Sequence, residues 1–90
     1  MKIKEGFILR KIADSDIVVP VGDNIANFNG VVMLNETATF LWDLLKEGTE
    51  LRLLTEALSM EYQISWEVAQ KDTERFISQL QEAQMLIACE

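Results

Sequence analysis

Along the first third of the chain the apolar positions fall in short, strand-like runs, whereas from Ala38 onward they recur three and four apart, so the pattern predicts strands first and helices after. From Gly6 to Ile12 the chain reads as a strand with Phe7 and Leu9 on one face and Ile8, Arg10 and Ile12 on the other. The cluster Asp14-Ser15-Asp16 supplies turn chemistry, because short polar side chains bond their own backbone. A second strand is predicted over Ile17 to Val21, where Pro20 lacks an N–H and marks the strand's end or a bulge. Gly22 to Gly30 is expected to be a loop or wide hairpin, pinned to the core by Ile25 and Phe28, that returns the chain to a third strand, Val31 to Leu34. Three consecutive strands with short links predict an antiparallel meander whose third strand lies at an edge.

That third strand hands over directly to a helix. Asn35 can cap it, Glu36 suits the positive end of the helix dipole, and Ala38, Leu41, Trp42 and Leu45 form one apolar face that ends at Lys46 and Gly48. Thr49 is expected to cap a second helix running to about Tyr62, with Leu51, Leu54 and Leu58 on its face and Leu53 and Ala57 beside them. Ser65 is expected to cap the third and longest, Trp66 to about Ala83, with Ala69, Thr73, Phe76, Leu80 and Ala83 in line and Ile77 adjacent. Met85 to Ala88 is an apolar tail that can pack back in extended form. Trp42 belongs to the core, and Trp66 is read as a staple on the turn before the third helix.

Composition then narrows the function. Ninety residues make one domain, 1–90, able to bury a modest core without staples. The single Cys89 and the lack of any histidine argue against a zinc site and for a reducing compartment. The basic start MKIKEGFILRK has too short an apolar part for a secretory signal, and no apolar run reaches membrane-spanning length, so the mature protein is expected to be the whole chain in the cytoplasm. With no histidine base and no glycine-rich phosphate loop, no catalysis and no cofactor are expected. Fifteen acids against eight bases give a net charge of −7, and the third helix turns Glu67, Asp72, Glu74 and Glu82 outward against only Lys71 and Arg75. Phosphate contacts need more cations than this, so nucleic acid is not the expected partner.

A function can instead come from the third strand. An edge strand offers unpaired N–H and C=O groups to an extended peptide. Val31, Val32, Met33 and Leu34 would supply the ladder, and Asp72, Arg75, Phe76 and Gln79, spaced i, i+3, i+4, i+7 on the third helix, would wall the groove. The same physics equally allows an edge that is merely protected by a neighbour or used for homodimerisation.

A resemblance separates these alternatives. Leu34-Asn35-Glu36-Thr37-Ala38, then Leu41-Trp42, Leu44-Leu45 and Gly48, resembles the core signature of PqqD-like domains, the recognition elements of ribosomally made, modified peptides. Gly6-Phe7, Leu9-Arg10 and Val18-Val19-Pro20 upstream, with Glu56, Leu58, Tyr62, Asp72, Phe76, Leu80 and Met85-Leu86 downstream, carry the likeness over nearly the whole chain. Thr73 stands where an aliphatic is usual and Gln84 where glycine is common. The resemblance implies an α+β winged helix-turn-helix domain, a three-stranded antiparallel sheet followed by three helices. It further implies a peptide chaperone that captures the leader of a precursor peptide by strand addition and presents it to a separate modifying enzyme such as a radical-SAM enzyme, cyclase or protease. A winged-helix transcriptional regulator and a dimerisation module on the same edge are the alternatives.

Overall fold

In the computed structural model, which describes residues 1–22 and 32–87, the alternating segments become strands and the periodic ones helices. The elements are β1 (Lys2–Ile3), β2 (Phe7–Ile12), β3 (Ser15–Pro20), β4 (Val32–Leu34), α1 (Glu36–Lys46), α2 (Leu51–Tyr62), α3 (Trp66–Glu82) and β5 (Leu86–Ile87). The expected loop over Gly22 to Gly30, with Ile25 and Phe28, lies from Asp23 onward outside the described residues, as do Val31 and Cys89.

Strands β2, β3 and β4 form an antiparallel sheet in that order, which leaves β4 at an edge among the described residues. Ser15 and Asp16, expected in the turn, instead open β3, and Ala13 and Asp14 make the connection, with Ala13 at φ 56°. Cross-strand pairing of Ile12 with Ser15 and of Lys11 with Asp16 extends the ladder to the tip and overrides the turn preference of those two residues. Alternation puts Phe7, Leu9, Val18, Val32 and Leu34 on the face that meets the helices. A second, two-stranded sheet pairs β1 with β5, so the apolar tail does return to the domain in extended form.

The helix ends follow the local chemistry with one exception. The Asn35 side chain accepts from the Ala38 N–H at 2.9 Å and the Ser65 hydroxyl from the Val68 N–H at 3.2 Å, while Gly48 follows α1 at φ 87°. Thr49 is not the cap of α2. Glu50 occupies that position without a side-chain bond, because Thr49 is drawn to the N-terminus: its N–H donates to the Met1 carbonyl and its own carbonyl accepts from the Met1 ammonium. Gln84 sits at φ 58°, a left-handed conformation that only glycine adopts without cost, which is the physical reason a glycine suits this position.

Trp42, Leu41, Leu45, Leu54, Leu58, Leu80 and Met85 are buried essentially completely and tie the three helices together. Trp66, read as a staple on the turn before α3, is 46% exposed. On the buried stripe of α3, Thr73 stands out: its hydroxyl is fully buried and has no hydrogen-bond partner among the described residues. Thr73→Val keeps the shape and removes the unmet hydroxyl, so it is expected to stabilise the domain by about 1 kcal/mol. Thermal unfolding reads this as a rise in midpoint of roughly 4–8 °C; an unchanged or lower midpoint would mean that the hydroxyl is satisfied.

Candidate functional site

The site is built from three elements: β4, which lies at the edge of its sheet among the described residues, α1, which starts one residue after it, and α3, whose residues line cavities together with both. In the ladder Val18 pairs with Val32, Ile17 with Met33 and Asp16 with Leu34. Leu34 is buried at the end of β4, Val32 is half-buried against the core, and Met33, pointing to the opposite side, is 65% exposed. Among the described residues β3 is the only ladder partner of β4.

Asp72, Arg75, Phe76 and Gln79 lie on one face of α3 and meet the first turns of α1. Together with Asn35, Thr37, Ala38 and Leu41 they line a cavity of about 140 Å³. A second cavity of about 370 Å³ is lined by Met33, Leu34, Asn35, Ala38 and Gln79. The two share Asn35, Ala38 and Gln79, so they form one groove between the end of β4 and α3. Its floor is apolar, with Leu41 and Phe76 buried, while Arg75 and Gln79 are exposed at the rim and Asp72 is half-buried. Neither Asp72 nor Arg75 is in an ion pair among the described residues, so both charges remain available to a ligand.

Of the eight residues predicted to bind, the structure thus gathers Met33, Leu34, Asp72, Arg75, Phe76 and Gln79 around one groove. Val32 borders it as part of the edge without lining either cavity, and Val31 lies outside the described residues. Sequence reasoning missed the contribution of α1. Asn35, Ala38 and Leu41 read as a cap and a core stripe, yet the cap that ends β4 necessarily stands at the mouth of the groove. The Asn35 carboxamide oxygen also accepts from the Thr37 hydroxyl at 3.1 Å, so this corner is held by two hydrogen bonds.

Beyond Asn35 the groove opens into a polar cavity of about 350 Å³ lined by Lys11, Asp14, Asp16, Leu34, Glu36 and Thr39. There the Thr39 hydroxyl donates to the Asp16 carboxylate at 3.0 Å, and Lys11 stands 4.0 Å from it, which ties α1 to the tip of the sheet. At the far side of α1, the Tyr62 ring meets Phe40 edge-on at 5.8 Å and its hydroxyl approaches the Glu36 carbonyl. Burial raises the Tyr62 pKa, helped by the Glu36 and Glu61 carboxylates, so the phenol stays a neutral donor. A larger cavity, about 670 Å³, lies between the β1–β5 pair and the end of α3 and contains none of the predicted residues. Among the described residues no three acids or cysteines are grouped to hold a metal ion, and no helix is long and apolar enough to cross a membrane.

Comparison with known proteins agrees with this architecture. The family model of coenzyme PQQ synthesis protein D (PqqD) matches residues 17–86. Among solved structures, TbiB1 in complex with the TbiA(beta) leader peptide superposes with a TM-score of 0.77 at 20% sequence identity, covering 100% of this chain and 99% of that one. Lasso peptide synthetase B1 complexed with the leader peptide gives 0.74 at 17% identity, covering 97% and 96%. At these identities the likeness is one of fold. A search of curated proteins finds no match.

Proposed function

Because the chain belongs to the PqqD family, we propose that it is a non-enzymatic adaptor which captures the leader segment of a ribosomally made precursor peptide and presents it to a separate modifying enzyme. The observation that carries this reading is the groove itself. An edge strand lies beside a helix-walled cleft with an apolar floor and two unpaired charges at its rim, which suits an extended peptide that takes affinity from main-chain pairing and selectivity from side-chain pockets. Both similar structures named above hold a leader peptide. The contacts assigned to the peptide are the outward N–H and C=O groups of β4, with its side chains against Asp72, Arg75, Phe76 and Gln79. The chemistry belongs to the partner, a radical-SAM enzyme, cyclase or protease, and the adaptor works in the cytoplasm where the precursor is made.

Calorimetric titration with an acidic leader peptide of a ribosomally made precursor tests the reading. Arg75→Glu reverses a charge at an exposed position and is expected to leave folding intact while weakening an acidic leader by about 1 kcal/mol or more. Unchanged affinity in the folded variant would place the peptide elsewhere. The regulator alternative predicts a sequence-preferred DNA complex. With a net charge of −7 and few cations on α3, none is expected at physiological salt, and a gel-shift complex that survives moderate salt would reverse the assignment.

A further inference from the structure

The row of the sheet that ends at the groove is not wholly apolar. Lys11 pairs with Asp16 and Asp16 with Leu34, so the three lie side by side across β2, β3 and β4. By alternation they face the same way as Leu9 and Val18, toward the helices. A carboxylate turned to that side gives up hydration and must be compensated. Asp16 has the compensation: its side chain is 23% exposed, it accepts from the Thr39 hydroxyl at 3.0 Å, and the Lys11 ammonium stands 4.0 Å away.

Stability does not explain the arrangement. The Lys11 side chain is 69% exposed, and an ion pair so open to water contributes little. Apolar side chains of the same shape at both 16 and 39 would hold the two elements together about as well, because replacing both partners of a hydrogen bond is nearly neutral. What the polar pair adds is geometry. A hydrogen bond fixes a distance and a direction, whereas apolar contact is non-directional.

The geometry it fixes is that of the groove. The buried side chains of α1 begin at Leu41, and its first turn, Glu36 to Thr39, has none. Ala38 of that turn and its cap Asn35 line both cavities of the groove. The bonds of Asn35 to Thr37 and Ala38 stay within the turn, and the Tyr62 hydroxyl approaches it from α2. Among the described residues, the side-chain bond that joins this turn to the sheet is the one from Thr39. It lands on Asp16, the ladder partner of Leu34, and so ties the helical wall of the groove to the row where β4 ends.

We infer that Asp16 and Thr39 are positioning residues for the leader: their hydrogen bond sets the separation of α1 from the end of β4, and with it the fit of a peptide that adds to β4 and continues along α3. This rests on the adaptor reading above. Neither residue lines either cavity of the groove, so both act on the peptide through Asn35 and Ala38.

The test uses the full chain, fluorescently labelled leader peptides of ribosomally made precursors, and thermal unfolding on the same samples. Asp16→Leu combined with Thr39→Val keeps the shape of both side chains and removes the bond. This double variant is expected to keep its thermal midpoint yet bind leader about tenfold or more weakly, the scale of one hydrogen bond to a charged group. Thr39→Ser keeps the hydroxyl and is expected to bind as the wild type does. Each single variant, Asp16→Leu or Thr39→Val, is expected to lose as much affinity as the double, because either one breaks the same bond. Unchanged leader affinity in the folded double variant would overturn the positioning role and leave the adaptor reading in place. A midpoint that falls in step with affinity, or a Thr39→Ser that binds no better than Thr39→Val, would make the role one of stability or packing and overturn it as well. Wild-type protein that binds none of the leaders would overturn the adaptor reading, and this inference with it.

Discussion

Proline at one of two adjacent positions, Val32 or Met33, is expected to abolish leader binding in a protein that still folds, and at the other to weaken the fold itself. Successive residues of an antiparallel strand turn their N–H and C=O groups to opposite sides, so one of this pair bonds to β3 and the other faces the free edge. Proline removes the N–H at either place, but edge strands tolerate the loss where the group faced outward. The variant that keeps its thermal midpoint identifies the outward amide and is the one that must lose the peptide. Val18→Pro, in the buried middle strand, serves as the contrast and should unfold the domain. Calorimetric titration and thermal unfolding on the same samples decide the matter. If both edge variants fold and bind normally, strand addition at β4 is wrong, and the basic end of β2 around Arg10 and Lys11 becomes the next place to look.

Trp42→Ala is expected to produce the largest loss of stability of any single truncation to alanine among the described residues. Trp42 is the largest fully buried side chain, 1% exposed, set among Leu41, Leu45 and the other core residues. Truncating such a residue costs about 3–5 kcal/mol in transfer and cavity terms. A small domain has roughly 5–15 kcal/mol in all, so the variant should be at the edge of unfolding at room temperature. Trp66→Ala, at a side chain 46% exposed, is expected to cost less than about 1 kcal/mol. Denaturant titration compares the two directly; equal losses would mean that Trp66 does staple the turn before α3.

Element by element, legibility followed the range of the forces involved. Asn35, Gly48 and Ser65 could be assigned from sequence because a cap is a bond between residues three or four apart. The buried stripe Ala69, Thr73, Phe76, Ile77 and Leu80 could be read because a helix repeats its face within one segment. Thr49 misled because its backbone is engaged by Met1, 48 positions away, and no local rule contains that contact. β1 was missed for the same reason: two residues have no periodicity of their own, and Lys2 and Ile3 become a strand only by pairing with Ile87 and Leu86.

For the candidate site, the i, i+3, i+4, i+7 spacing of Asp72, Arg75, Phe76 and Gln79 was enough to place four side chains on one wall, since that follows from helix geometry alone. Which wall they would face was not contained in the spacing. That Asn35, Ala38 and Leu41 complete the groove, and that Met33 and Arg10 share the outward face of a sheet, depends on strand register and on how α1 and α3 cross. The sequence by itself determined the three helices, the caps of the first and third, and their apolar faces, because capping and periodicity are local. Only the tertiary structure decided which faces meet, because each such contact joins residues far apart in the chain and exists only once the whole core has closed around Trp42 and its neighbours.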